Sequence, residues 1–271
     1  LPGTYSVAET LPAGWTLTSA VCSDGSDPSA IQLDPGETVT VVFTNTQRGQ
    51  IIVEKQTDPD GSTQSFEFTT SYGSFSLTDG QSNNSGPLPP GTYSVAETLP
   101  AGWDLTSAVC SDGSDPSAIQ LAPGETVTVV FTNTLQRGVI IVEKQTDPDG
   151  STQSFAFTPS YGSPFSLTDG QTNNSGPLLP GTYSVAETLP AGWTLASAVC
   201  SDGSDPSAIQ LNPGETVTVV FTNTLSRGQI IVEKQTDPDG STQAFTFTPS
   251  YGQGFSLTDG QTSNSGPLLP G

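Results

Sequence analysis

The sequence predicts an all-β fold built from tandem Ig-like β-sandwich domains in a beads-on-a-string rod. Apolar and polar residues alternate over several short segments, as in half-buried strands, and no segment has a helical period. Turn motifs such as DPDG, TDGQ, LPAG and SDGSDP recur about every eight to twelve residues, which is typical of β-sandwiches. A long repeat is also visible, because an LPG-type turn returns every 88 to 90 residues, at Gly3, Gly91, Gly181 and Gly271.

The phase of this repeat divides the chain into two complete domains and two halves. We predict complete sandwiches at 48–136 and 137–226, the C-terminal half of a domain at 1–47, and the N-terminal half of another at 227–271. The halves are completed either within a long tandem array or by the next copy of the chain, as in strand complementation. The junctions TQRGQ, TLQRGV and TLSRGQ are short, which predicts little rotation between neighbouring domains and a head-to-tail, semi-rigid rod.

Three strands of each repeat place polar residues in phase with apolar ones. The first strand has the sequence GQIIVEKQT, a middle strand TYSVAET and the last strand TVTVVFTNT. Side chains two residues apart share a face of a strand. The faces of the repeat at 48–136 are therefore Ile51, Val53 and Lys55; Tyr93, Val95 and Glu97; and Val127, Val129, Phe131 and Asn133. A lysine, a glutamate and an asparagine thus fall where core residues are expected.

Burial of these three groups is costly unless they satisfy one another. If Lys55, Glu97 and Asn133 converge, burial lowers the pKa of the lysine towards the nucleophilic free amine and raises that of the glutamate towards the neutral acid. The amine can then attack the side-chain amide of Asn133, while Glu97 polarises the amide carbonyl and shuttles protons and ammonia leaves. The product is an isopeptide bond that the protein forms once, on itself.

The same triad recurs in the other repeats. Lys144, Glu187 and Asn223 form it within 137–226. The first half-domain holds Glu9 and Asn45 without a lysine, and the last holds Lys234 without the acid and the amide, so these three are predicted to meet across copies. A plainer interpretation is that each lysine reaches water from an edge strand, the glutamate caps a turn or pairs with it, and the asparagine ends a strand.

The motifs that carry this chemistry also resemble a known family. The order K-x-T-D-x-x-G, PGTYSVAETLPAGW and VVFTNT is similar to the collagen-adhesin B-type (prealbumin-like, SpaA-like) repeat domains of bacterial surface proteins and pilins. The resemblance implies a glutamate-assisted bond between lysine and asparagine at the positions that match those motifs. Some relatives also carry a second cysteine in the last strand, where this chain has Val41, Val129 and Val219. Cys22, Cys110 and Cys200 are therefore predicted to be small buried residues or to form disulfides between neighbouring chains.

Other functional classes find little support in the sequence. The DPDG loops offer Asp58, Asp60, Asp147 and Asp149 as calcium ligands, but without a later bidentate glutamate such loops are typical of Asx turns, so we predict no metal and no cofactor.

With 27 acidic residues against 6 basic ones, the formal net charge of −21 argues against nucleic acid and anionic membranes as partners. No stretch is long enough to span a bilayer, and the lack of any methionine or signal peptide indicates a segment of a longer protein.

The predicted function is structural. No histidine is present, and no serine nucleophile has a base, so catalysis on an external substrate has no visible machinery and we predict no enzyme beyond the self-directed bond. The sequence favours an extracellular filament on the bacterial cell surface, a pilus shaft or an adhesin stalk. The alternative is an adhesin module that recognises a surface or a glycan through its loops. The near identity of the repeats favours the stalk, since a spacer needs only copies.

Overall fold

The computed structural model describes residues 1–269 and confirms the predicted all-β fold, since the described residues form strands, turns and loops without a helix. Accordingly, this part of the chain has no helix that could cross a membrane. Contacts divide the chain into two units, Leu1–Gln136 and Arg137–Gly271. Each unit combines one complete sandwich with one smaller, half-sized set of strands.

The first unit begins with the smaller set. Its strands are β1 Gly3–Tyr5, β2 Trp15–Cys22, β3 Ile31–Leu33 and β4 Val41–Gln47. They pair antiparallel as two separate ribbons, β1 with β3 and β2 with β4.

The complete sandwich of the first unit has nine strands. They are β5 Gln50–Asp58, β6 Phe66–Thr70, β7 Gly73–Leu77, β8 Ser82–Asn84, β9 Gly91–Tyr93, β10 Val95–Thr98, β11 Trp103–Cys110, β12 Ile119–Leu121 and β13 Thr126–Leu135. One sheet has the order β11-β13-β5-β8 and the other β10-β6-β7, with a short β9-β12 ribbon beside them. The first strand, β5, and the last, β13, are neighbours and run parallel. This pairing brings the two ends of the domain sequence together in one sheet.

The core of this sandwich lies between its two sheets. Phe66 and Phe68 of β6 are fully buried, and their rings meet Trp103 of β11 and Phe131 of β13 edge to face at 5.2 Å. Such aromatic pairs stabilise a small core beyond the area that they bury. The remaining buried apolar residues are Ile51, Val53, Leu77, Val95, Cys110, Ile119, Leu121, Val127 and Val129.

The second unit repeats this arrangement. Its complete sandwich comprises β14 Val139–Asp147, β15 Phe155–Pro159, β16 Phe165–Leu167, β17 Thr172–Asn174, β18 Gly181–Tyr183, β19 Val185–Thr188, β20 Trp193–Cys200, β21 Ile209–Leu211 and β22 Thr216–Leu225. Strand β14 again runs parallel to the last strand, β22. The smaller set comprises β23 Ile231–Glu233, β24 Phe245–Phe247, β25 Phe255–Leu257 and β26 Thr262–Asn264, paired as β23 with β26 and β24 with β25.

Within the first unit, the junction between the smaller set and the complete sandwich is held by hydrogen bonds. The Arg48 amide donates to the Gly14 carbonyl at 2.7 Å, and its Nε donates to Thr16 Oγ1 at 2.8 Å. The next residue, Gly49, exchanges two backbone hydrogen bonds with Leu88. A Cβ at Gly49 would lie 2.6 Å from the Glu125 carbonyl oxygen, so the backbone approaches too closely for a larger residue.

Candidate functional site

Lys55 is buried at the centre of the first complete sandwich. It lies on the inward face of β5 with 1% of its surface exposed, in agreement with its phase in the sequence. In the parallel ladder Lys55 is opposite Phe131, and Asn133 is opposite Thr57. Lys55 and Asn133 are therefore diagonal neighbours on the same face of adjacent strands, close enough for their side chains to meet.

The three predicted side chains do meet. Lys55 Nζ lies 2.8 Å from Asn133 Oδ1 and 3.6 Å from Glu97 Oε1. Asn133 Nδ2 donates to Glu97 Oε2 at 2.8 Å. Glu97 reaches the site from β10 of the opposite sheet, and its side chain is only 1% exposed. The amine, the amide and the carboxyl are thus buried together, away from solvent.

Backbone carbonyls and an aromatic ring hold the lysine nitrogen from its other sides. Lys55 Nζ donates to the Gln56 carbonyl at 2.6 Å and lies 4.0 Å from the centroid of the Phe66 ring. The sequence analysis missed this contact. The alternation of FEFTT could have predicted it, because it turns both phenylalanines of this strand into the core that Lys55 also faces.

The second complete sandwich has the same site. Lys144 Nζ lies 3.6 Å from Glu187 Oε1, and Asn223 Nδ2 donates to Glu187 at 3.0 Å. Here Lys144 Nζ donates to the Phe221 carbonyl at 3.0 Å, while the buried Asn223 Oδ1 has no hydrogen-bond partner. In both sites the asparagine amide nitrogen therefore donates to the glutamate carboxyl. Only in the first site does the lysine nitrogen also contact the amide oxygen.

One contact differs from the sequence-based prediction. Glu97 and Glu187 were predicted to polarise the amide carbonyl, but each carboxyl accepts a hydrogen bond from the amide nitrogen instead. The amide nitrogen is the group that must leave as ammonia when an amine replaces it. The carboxyl is thus placed to deliver a proton to the leaving group.

Burial shifts the pKa values of both titratable groups towards their neutral forms. Desolvation lowers the pKa of Lys55 below its ordinary value of 10.5, although the nearby Glu97 carboxylate opposes this shift. Desolvation likewise raises the pKa of Glu97, against the opposing hydrogen bond from Asn133 and the charge of Lys55. Lys144 and Glu187 shift in the same directions for the same reasons. In both sites burial therefore makes transfer of a proton from the ammonium to the carboxylate less unfavourable than it is in water.

Comparison with known proteins places the chain in a family. A sequence model of the prealbumin-like fold domain matches the chain three times, at residues 1–53, 51–139 and 140–231. The chain belongs to the prealbumin-like fold domain family. The resemblance drawn from the motifs is thereby confirmed, as is the tandem arrangement of the domains.

Several solved structures are similar to this chain at low sequence identity. The Bacillus anthracis TIE protein is 18% identical with a TM-score of 0.52, over 94% of this chain and 59% of that one. The major pilin T-13 of Streptococcus pyogenes is 14% identical with a TM-score of 0.40, over 66% of this chain and 98% of that one. A C-terminal fragment of the pilus adhesin SpaC of Lactobacillus rhamnosus GG is 17% identical with a TM-score of 0.37, over the same two shares. No curated protein sequence matches the chain.

The two smaller sets of strands, at residues 1–47 and 227–269, each hold only some of these three groups. In the first, Asn45 Nδ2 donates to Glu9 Oε1 at 2.6 Å, and Asn45 Oδ1 is buried without a hydrogen-bond partner. In the last, Lys234 lies 4.3 Å from the centroid of the Phe245 ring and donates to the Gln235 carbonyl. One half thus carries the acid and the amide, and the other carries the amine on its aromatic support.

The DPDG loops are organised by an aspartate that sequence reasoning did not single out. Asp79 Oδ1 accepts from the Thr57 amide at 2.6 Å and Oδ2 from the Gly61 amide at 2.8 Å, and these bonds lower the pKa of Asp79. The sequence feature that could have predicted this role is the TDG turn, which recurs in every repeat. Within residues 1–269 no three acidic, cysteine or histidine side chains gather as a metal site would require. The structure therefore adds no observation in favour of calcium binding by Asp58, Asp60, Asp147 and Asp149.

The three cysteines are buried and unbonded within the described chain. Each is directly opposite a valine across its ribbon, so that Cys22, Cys110 and Cys200 face Val41, Val129 and Val219. These valines are the positions at which the family resemblance implied a second cysteine. Burial raises the pKa of the Cys110 and Cys200 thiols, which disfavours the reactive thiolate. Disulfides between chains stay a prediction.

Proposed function

We propose that the protein is a structural stalk or pilus shaft of the bacterial cell surface, whose complete domains are closed by isopeptide bonds. The bonds join Lys55 to Asn133 and Lys144 to Asn223. The observation that carries this proposal is the buried contact of Lys55 Nζ with the Asn133 amide, beside a carboxyl that holds the amide nitrogen. A buried lysine with two such neighbours is an expensive arrangement for a structural core, and the bond removes the charged pair.

The reaction requires only groups that are present in the site. Glu97 takes a proton from the Lys55 ammonium, and the free amine attacks Cγ of Asn133. Glu97 gives this proton to Nδ2 and takes a second proton from the attacking Nζ, the bond from Cγ to Nδ2 breaks, and Nδ2 leaves as ammonia. One amide bond replaces another, so neither an oxidant nor a cofactor is needed. The fold contributes by holding amine and amide in contact, which removes most of the entropic cost of their encounter.

The position of the bond supports a role in carrying tension. It joins β5 to β13, the first and last strands of the domain, which lie side by side in one sheet. Force that enters at one end of the domain can pass through the bond to the other end without stretching the strands between them. The hydrogen-bonded junction at Arg48 and Gly49 supports a stalk in which neighbouring domains turn little.

Peptide mapping tests the proposed bonds directly. Proteolysis of the unmodified chain is expected to yield branched peptides that join Lys55 to Asn133 and Lys144 to Asn223, each lighter than its parts by one ammonia. The Lys55→Ala variant serves as the matched control, because it should lose the first branched peptide and keep the second. Recovery of linear peptides alone, with lysines and asparagines unmodified, would contradict the proposal.

The titration of Lys55 gives a second test, in the Asn133→Ala variant, where no bond can form. Because burial lowers the pKa of Lys55, the unfolded state binds this proton more tightly than the folded state between the lowered pKa and 10.5. The free energy of unfolding of this domain should therefore rise with pH across that window, measured by urea unfolding between about pH 8 and pH 10. A Lys55→Met substitution in the same background should remove the slope. Identical pH profiles for the two variants would show that Lys55 does not titrate as proposed.

A further inference from the structure

The TDG turn that contains Asp79 is bonded to the strand that carries Lys55. The Lys55 amide donates to the Gln81 carbonyl at 3.0 Å, and the Gly80 amide donates to the Lys55 carbonyl at 2.9 Å. The side chain of Asp79 continues this ladder by one step, because its Oδ1 accepts from the Thr57 amide at 2.6 Å. The turn therefore fixes the strand both at Lys55 and two residues beyond it.

One peptide group links the Asp79 carboxylate to the amine of the site. The amide of Thr57 and the carbonyl of Gln56 belong to the same peptide bond, and in a planar trans peptide they point in opposite directions. The amide donates to Asp79, whereas the carbonyl accepts from Lys55 Nζ at 2.6 Å. Asp79 therefore sets the plane of this peptide, and with it the direction of the carbonyl that binds the amine.

This carbonyl controls the orientation of the lysine nitrogen. It is closer to Lys55 Nζ than the Asn133 amide oxygen, at 2.8 Å, or the Glu97 carboxyl, at 3.6 Å. Once one N–H of a free amine is fixed, the tetrahedral geometry of nitrogen restricts where its lone pair can point. Attack on an amide is fast only when the reacting atoms are aligned, so a carbonyl that turned away would slow the reaction.

The second complete domain repeats the arrangement. Asp169 Oδ1 accepts from the Thr146 amide at 2.5 Å, and Lys144 Nζ donates to the Gln145 carbonyl at 2.6 Å. The two sites differ in whether the amine contacts the amide oxygen, but the link from the aspartate to the amine is the same in both. This link therefore belongs to the repeated fold and not to one site alone.

The negative charge of Asp79 also acts on the lysine. Backbone hydrogen bonds, that from the Gly61 amide foremost, lower the pKa of Asp79, and the side chain of Asp60 in the DPDG loop also faces it. Desolvation lowers the pKa of Lys55, while the charges of Glu97, on the opposite sheet, and of Asp79 raise it. Removal of the charge of Asp79 should therefore lower the pKa of Lys55 further.

We propose that Asp79 and Asp169 are positioning residues for the formation of the isopeptide bonds. Each holds the peptide group whose carbonyl binds the lysine nitrogen, and thereby keeps that nitrogen directed at the asparagine amide. Each acts through this peptide group and not on the reacting atoms themselves. The role rests on the proposed function, because it concerns the rate at which the same bonds form.

The rate of bond formation in freshly made protein tests this role. The full chain is synthesised in a short cell-free pulse, samples are denatured and digested at successive times, and the branched peptides are measured by mass spectrometry. Asp79→Asn keeps the shape of the side chain but removes the charge that holds the peptide group. The bond between Lys55 and Asn133 should form about tenfold more slowly, the effect of weakening one charge-assisted hydrogen bond. The bond between Lys144 and Asn223 in the same chain should form at the unmodified rate.

A pH profile separates positioning from a role in stability alone. Bond formation needs one proton on the pair of Lys55 and Glu97, and this proton is lost at high pH. Without the charge of Asp79 the pair should lose it sooner, so the rate for Asp79→Asn should fall at a lower alkaline pH than the unmodified rate. Urea unfolding in the Asn133→Ala background measures the folded fraction of the altered domain. A slowing no larger than the loss of folded domain, or an unchanged pH profile, would overturn the role.

Three further variants complete the test. Asp79→Glu keeps the charge and should retain the unmodified pH profile. Asp169→Asn should slow only the bond of the second domain. Asp115→Asn makes the same change at a loop aspartate that accepts from the Ser117 amide at 2.7 Å, and it should change neither rate. Equal rates for Asp79→Asn and the unmodified chain would overturn the positioning role and leave the proposed function standing. Linear peptides alone from the unmodified chain would overturn the proposed function, and the positioning role with it.

Discussion

Replacing Glu97 by glutamine is expected to leave Lys55 and Asn133 unlinked while Lys144 and Asn223 stay bonded. The substitution keeps the shape of the side chain but removes the group that carries the proton to the leaving nitrogen, 2.8 Å away. Closing a loop of this length by a covalent bond is worth about 4.5 kcal/mol in the chain-entropy model. The altered domain should therefore unfold roughly 20 to 35 °C below the unaltered one, as measured by calorimetry.

The chain supplies matched controls for this experiment. Glu67 is exposed on the strand that pairs with β10, so Glu67→Gln makes the same chemical change without touching the site. It should leave both bonds and the unfolding temperature unchanged. Glu187→Gln should instead prevent the bond between Lys144 and Asn223 and lower the unfolding temperature of the second complete domain. If the Glu97→Gln chain shows the same branched peptides as the unmodified protein, the carboxyl has no part in forming the bond.

Pulling the protein by its two ends should extend the complete domains very little. The proposed bonds join the first and last strands of each domain, so the residues between Lys55 and Asn133, and between Lys144 and Asn223, are shielded from the force. In the Lys55→Ala and Lys144→Ala variants the same domains should unfold one at a time. Each unfolding step should release roughly 30 nm of chain, as expected for a domain of this length at about 3.5 Å per residue.

Force spectroscopy of single molecules measures these steps directly. The single variant Lys55→Ala is the matched control, because it should show one long step for the first complete domain and none for the second. Long steps from both complete domains of the unmodified protein would remove the argument for a tension-carrying stalk. That outcome would favour the adhesin module that recognises a ligand through its loops.

Much of the site could be predicted because strand periodicity is local. Lys55 shares the phase of Ile51 and Val53, and a period of two leaves no choice about which face these residues occupy once one face is buried. The repeat strengthens this prediction, because Lys144 has the same phase in its own strand. The contact of Phe66 with the lysine nitrogen could have been predicted in the same way, because the strand of Phe66 also alternates between buried and exposed residues.

The orientation of the amide could not be predicted in this way. Sequence phase places Glu97 and Asn133 on inward faces but does not say which end of the amide the carboxyl meets. That choice depends on how the strand of Glu97, in one sheet, is positioned over β13 in the other. Once the three groups meet, the amide orients so that its oxygen accepts from the Lys55 nitrogen and its nitrogen donates to the Glu97 carboxyl.

The all-β fold, the repeat and the inward phase of the lysine, the glutamate and the asparagine follow from the order of the amino acids alone. These properties depend on residues close together in the chain and on the solvation of their side chains. The parallel pairing of β5 with β13, in a register that sets Lys55 beside Asn133, 78 residues away, is visible only in the folded domain. Register between distant strands is set by the packing of both sheets at once, because slipping one strand by a single residue would turn every core side chain to the solvent.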